Sequence, residues 1–100
     1  DRALRRARSD AASALLDWRG SYRASELARR QVDVARQIHE AVTSRFEQGV
    51  ATSLEVSDAA QSLLQVELAW RRATLRARLA AVRHRYLVAA LPSVDEEPAP

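Results

Sequence analysis

Two histidines, a few hydroxyls and a pair of acids next to a turn are what this sequence offers to chemistry. His39 and His84 could ligate a metal or carry protons, Ser53 and Ser57 could act as nucleophiles, and Glu55 and Asp58 could serve as general acids or cation ligands. Their spacing argues against each use. No His-Glu-x-x-His run exists, and neither histidine has a second ligand one helical turn away. The two glycines, Gly20 and Gly49, are too far apart to form a phosphate-cradling loop, and the absence of cysteine removes thiolate chemistry and disulfides while leaving the compartment open. An enzyme is not expected, and no cofactor or metal is implied.

What must position these residues is helical. The chain has 100 residues, 47% of them hydrophobic but only 5% aromatic, and Ala, Leu, Arg, Glu and Gln dominate, as in long helices and coiled coils. Its three prolines, Pro92, Pro98 and Pro100, all lie near the end and leave the body unbroken. The chain opens at Asp1 without an initiator Met or a charged-then-apolar leader, so it reads as a mature or excised piece. No apolar run approaches the ~20 residues of a membrane-spanning helix, and without strands this piece alone is not expected to cross a bilayer.

Leu4, Ala7, Ala11, Ala14, Trp18, Ser21, Ser25, Ala28, Val32, Ala35, His39, Val42 and Phe46 keep one heptad frame. Val56, Ala59, Leu63, Val66, Trp70, Ala73, Ala77, Ala80, His84, Leu87 and Leu91 keep another. Beside the first stripe run Leu27, Val34, Ile38 and Ala41; beside the second run Leu64, Leu68, Leu75, Leu79, Val82, Tyr86 and Ala90. One partner helix covers only one stripe, so the pattern asks for further helices on the flanks. Both histidines fall in the seams, where a packed, hydrogen-bonded role is expected, and Trp18, Trp70 and Tyr86 are expected to fill the core. Glu26, Asp33, Glu40 and Glu47, seven apart, read as a solvated face with Arg29, Arg30 and Arg36 spaced to pair with acids.

The frame breaks once, at "FEQGVATSLEVSDA", residues 46–59. Gly49 stands where a left-handed residue ends a helix, and Thr52 with Glu55 three residues on forms a capping box for the next. Only Val50 and Ala51 lie between, which forces the helices antiparallel and adjacent. Pairing outward from about residue 51 sets Phe46 near Val56 or Ser57, His39 near Leu63 or Leu64, Val32 near Trp70, and Trp18 near His84, in a rod roughly 55 to 65 Å long. Gly20, in "WRGSYRAS", is read either as a kink or as a point of close approach by a neighbouring backbone.

All 16 basic residues are Arg, and the net charge is +3. Residues 31–67 hold Arg36 and Arg45 against six acids, whereas residues 68–91 hold six Arg and no acid. The hairpin therefore has an acidic tip and a basic base. A basic end could meet phosphate on a nucleic acid or a lipid surface, but the Arg lack the interleaved aromatics of a single-strand binder, and no nucleic-acid partner is expected. The tail "PSVDEEPAP" is expected to be disordered; alternatively it folds back on this basic end.

The tip pattern Arg45-Phe46-x-x-Gly49-Val50-x-Thr52-Ser53-x-Glu55-Val56-x-Asp58-Ala59, followed by Leu63-Leu64, Glu67-Leu68-Ala69 and "RYLVAAL", resembles the C-terminal helical hairpin of TolC-like outer-membrane efflux proteins, from about Ala28 to Leu91. That resemblance implies a homotrimeric channel with a β-barrel in the outer membrane and a helical tunnel in the periplasm, coupled through a periplasmic adaptor protein to an inner-membrane pump. It implies that Gly49, Val50, Ala51, Thr52 and Ser53 dock tip-to-tip with the adaptor, and that Glu55 and Asp58 ring the aperture. Phe46 stands where the family often has a Tyr whose hydroxyl helps hold the closed state, and Ser57 where Leu is usual, so any latch here must differ.

The expectation is thus an all-α chain: a long antiparallel helical hairpin over residues 1–91, with helix one at about 2–48, a tip at 49–53 and helix two at about 54–91, packing with further helices into a bundle or barrel. Its leading role is the periplasmic hairpin of an efflux or type I secretion channel, and the alternative is a structural or regulatory coiled-coil oligomerisation module.

Overall fold

The computed structural model describes residues 1–91; the acidic, proline-rich stretch expected to be disordered lies outside the described residues. Two helices account for nearly all of them: α1, Arg2–Glu47, and α2, Ser53–Ala89. Asp1 caps α1, its carboxylate accepting from the Ala3 N–H at 3.1 Å. The two helices pack side by side over their length, with extents of 82 × 19 × 13 Å, two helices wide and one deep. At ~1.5 Å per residue α1 alone spans about 69 Å, so the rod is longer than the sequence estimate.

The heptad frame is the seam. Ala11, Ala14, Ser25, Ala28, Val32 and Val42 of α1 and Ala59 and Ala77 of α2 are the buried residues. Most are alanines, which let the backbones approach closely but bury little apolar area each. Ser25 meets its burial by donating to the Tyr22 carbonyl oxygen at 2.8 Å.

Cross-helix contacts fix the register. The Trp18 and His84 rings stack at 5.4 Å between centroids and 22° between planes, as the pairing outward from the tip requires. Asp17 meets Arg83 at 3.4 Å, and Arg36 reaches Glu67 at 3.9 Å. Of Arg29, Arg30 and Arg36, all spaced to pair with acids of α1, Arg29 does so, contacting Glu26 at 3.4 Å and Asp33 at 3.5 Å, whereas Arg36 turns to Glu67 on the other helix. These pairs are exposed and worth a few tenths of a kcal/mol each, so they set alignment more than stability.

Two aromatic expectations need correction. Tyr86 is 73% exposed and Trp18 36% exposed, so neither is a core filler. A seam of Ala and Ser brings the backbones too close for an indole to lie fully between them, and Trp18 instead leans onto His84. Tyr86 belongs to the flanking stripe. Neither histidine makes a side-chain hydrogen bond among the described residues, contrary to the hydrogen-bonded role expected of them; His84 is half-buried and stacks on Trp18.

α1 runs through Gly20 without interruption, and a Cβ built there meets no atom within 4 Å. No close approach within the chain explains the glycine. Gly20→Ala is therefore expected to stabilise the chain by about 0.5–1 kcal/mol, through helix propensity alone. Urea unfolding followed by circular dichroism would measure the shift, and a loss of stability would show that something else occupies the space.

Candidate functional site

The turn is built by two caps. At the end of α1, Gly49 takes φ +76, the Gly49 N–H donates to the Phe46 carbonyl at 2.9 Å, and the Val50 N–H donates to the Arg45 carbonyl at 2.8 Å. This six-to-one and five-to-two pair of bonds is the Schellman closure, and it satisfies carbonyls the helix end would leave open. At the start of α2 the Thr52 hydroxyl accepts from the Glu55 N–H at 3.1 Å. That is half of the expected capping box; Glu55 contributes its backbone to it, and its side chain stays exposed.

Caps on both sides leave no slack, and the apolar residues between and beside them cannot turn inward. Val50 is 72% exposed and Leu54 67% exposed, while Ala51 is partly covered. The end of the rod is thus a rigid, apolar knob with exposed Thr52 and Ser53 hydroxyls beside it. Leu54 escaped the sequence reading, although an apolar residue just inside the cap, off the heptad seam, is the signal for it.

Glu55 and Asp58 come together. One turn apart on α2, both line a shallow groove with Ile38 and Val42 of α1 and Ala59 and Ser62 of α2. Neither acid takes part in an ion pair among the described residues. Phe46 is not part of this groove; it ends the seam at 45% exposure. Ile38 links the acidic groove to a second one lined by Leu27, Arg30, Gln31, Val34 and Ala35.

The flanking stripes remain open to solvent. Leu27, Val34 and Ile38 are 59%, 55% and 53% exposed along one flank of α1, with Ile38 on the side that meets Glu55 and Asp58 of α2. Leu64, Leu68, Leu75, Leu79 and Val82 are 49–65% exposed along the outer edge of α2. The edges lie on opposite sides of the ribbon, since Leu64 and Leu68 share a groove with Glu67, which crosses to Arg36, whereas Ile38 opens toward Glu55. The open α2 flank is expected to make the chain self-associate in solution, and Leu68→Glu combined with Leu75→Glu to yield monomers while leaving the helix content unchanged. Circular dichroism with sedimentation equilibrium would read both, and a fall in helicity would place these leucines in the fold instead.

The geometry is that of a two-helix ribbon with exposed apolar flanks and an exposed apolar tip, and no group of metal-ligating side chains occurs among the described residues. A family profile described as outer membrane efflux protein matches residues 1–89. The chain belongs to the outer membrane efflux protein family, whose members are channels rather than enzymes. The match includes the whole of α1, well beyond the stretch in which the tip resemblance was legible. No curated protein and no solved structure gives a significant match. No helix among the described residues is long and apolar enough to cross a membrane.

Proposed function

We propose that this chain is a periplasmic α-hairpin of an outer-membrane efflux or type I secretion channel. In this reading the hairpin stands in the wall of a helical tunnel formed by a homotrimer, and each apolar edge is covered by a neighbouring helix. The turn, Gly49 to Ser53, docks against the tip of a periplasmic adaptor protein and, through it, an inner-membrane pump. Glu55 and Asp58 face the aperture and favour cations there, and helix movement opens it. Phe46, with no hydroxyl, contributes packing rather than a hydrogen-bonded latch.

The observation that carries the reading is the exposed apolar knob at the end of a rod whose turn is capped on both sides. A plain oligomerisation module needs apolar edges but has no use for a rigid apolar tip. The chain has no cysteine, so Val50→Cys gives the hairpin one thiol, placed at its tip, in a full-length channel whose other cysteines, where present, are replaced by Ser. It is expected to cross-link to a cysteine at the tip of the adaptor hairpin and not to one placed near the adaptor's membrane end. Cross-linking at both positions alike, or at neither, would reject tip-to-tip docking.

A further inference from the structure

At the opposite end of the rod, Leu15, Trp18, Arg19, Tyr22 and Arg23 line a groove on α1. His84 covers one face of the Trp18 indole and leaves the rest of the ring to the groove, and Tyr22 is 56% exposed. The ion pairs among the described residues use Arg29, Arg36 and Arg83, so Arg19 and Arg23, beside this aromatic surface, have no ion-pair partner among the described residues. Such a site suits a short segment with an apolar residue next to carboxylates, since guanidinium groups pair with carboxylates and lie against aromatic faces.

The sequence holds one such segment within reach. Residues 92–100 carry Asp95, Glu96 and Glu97 directly after Val94, and no base. We propose that Val94 to Glu97 dock on the groove of the same chain, with Val94 against Leu15 and Trp18, and the carboxylates on Arg19 and Arg23.

Charge and distance support this occupant. Residues 68–91 hold six Arg and no acid, so the whole base attracts an acidic segment. The Trp18–His84 stack sets the register, which puts Leu91 level with about residue 11 of α1. Leu15 to Arg23 then lies roughly 6 to 18 Å further toward the tip. The groove also lies across the seam on α1, roughly 8 to 10 Å from the axis of α2. Four to six residues of extended chain beyond Leu91, about 13 to 20 Å, therefore carry the acids to Arg19 and Arg23, and Val94, about 10 Å out, meets Leu15 and the near edge of Trp18 with its side chain. Pro92 follows Leu91 and has no backbone N–H to donate to a continuing helix. This inference is independent of the channel reading, because it concerns the far end of the rod and uses neither the tip nor the apolar edges.

The test attaches a nitroxide to Ala99→Cys, the sole thiol in the chain, and follows broadening of the Trp18 indole N–H signal by NMR, with the Thr52 amide at the tip as reference. The expected result is strong broadening at Trp18 and none at Thr52, independent of protein concentration. Asp95→Asn, Glu96→Gln and Glu97→Gln together should lower the ratio of docked to undocked chain roughly fivefold, the size expected of a few exposed ion pairs. Raised salt should act in the same direction. These substitutions lie outside both helices and leave the rod folded. An unbroadened Trp18, broadening indifferent to the charges, or broadening that arises only between mixed labelled and unlabelled chains would each overturn the proposal.

Discussion

Val50→Glu is expected to abolish export by the full-length channel while leaving the two helices as stable as before. The side chain at position 50 is 72% exposed, so a carboxylate there meets water in the free protein and costs nothing in folding. The Schellman closure uses the backbone of Val50, whose N–H bonds to the Arg45 carbonyl at 2.8 Å whatever side chain it carries. In the proposed docking contact the same carboxylate would be buried beside Leu54 without a cation, and burying an unpaired charge costs several kcal/mol, enough to weaken docking by more than about a hundredfold. Gly49→Val is the instructive contrast: φ +76 strains any β-branched residue by about 1–2 kcal/mol, so this change injures the turn as well as the contact. Normal export by Val50→Glu, at normal channel abundance, would remove the turn from the docking surface. Lost export accompanied by lost channel would assign Val50 to folding.

Much of the hairpin was legible because its determinants are local or periodic. Every buried residue had already fallen in one of the two heptad frames, and the turn announced itself through Gly49 and Thr52. The Trp18–His84 contact followed from counting outward from the turn, since a link of so few residues permits little slippage. What was not legible depends on which way a side chain leans once the register is set. Arg36 had acids nearby on its own helix and took Glu67 on the other, a choice between contacts of similar worth. The groove that joins Glu55 and Asp58 to Ile38 combines positions from two helices and appears in neither frame alone. Trp18 and Tyr86 were read as core because aromatics at helical spacing usually are; the alanine seam has no room for the whole indole of Trp18, and Tyr86 lies off the seam on the open flanking stripe. The adaptor and aperture roles came from family resemblance, and no distance within a single hairpin measures them.

The seam itself admits a sharper test, which compares one substitution at two neighbouring positions. Val32 is 2% exposed and Val34 is 55% exposed on the same helix. Val32→Asp places a carboxylate between closely packed backbones and removes the largest fully buried side chain of the rod. The lost apolar burial and the uncompensated charge together are expected to cost about 3–5 kcal/mol, a large part of the stability available to a small domain. Val34→Asp makes the same chemical change in water and is expected to alter the stability of the monomeric hairpin by less than about 0.5 kcal/mol. Acid separates charge from volume. Burial raises the pKa of the introduced carboxyl in the folded state, so the folded variant binds more protons than the unfolded one between the two pKa values. Its deficit relative to the parent therefore narrows as pH falls through the folded value and is fully present well above it. Urea titrations at several pH values, analysed as differences from the parent protein, would show this slope. Equal effects at positions 32 and 34 would mean that the heptad frame is not the contact surface, and a pH-independent deficit at 32 would mean that lost packing, and not charge, accounts for it.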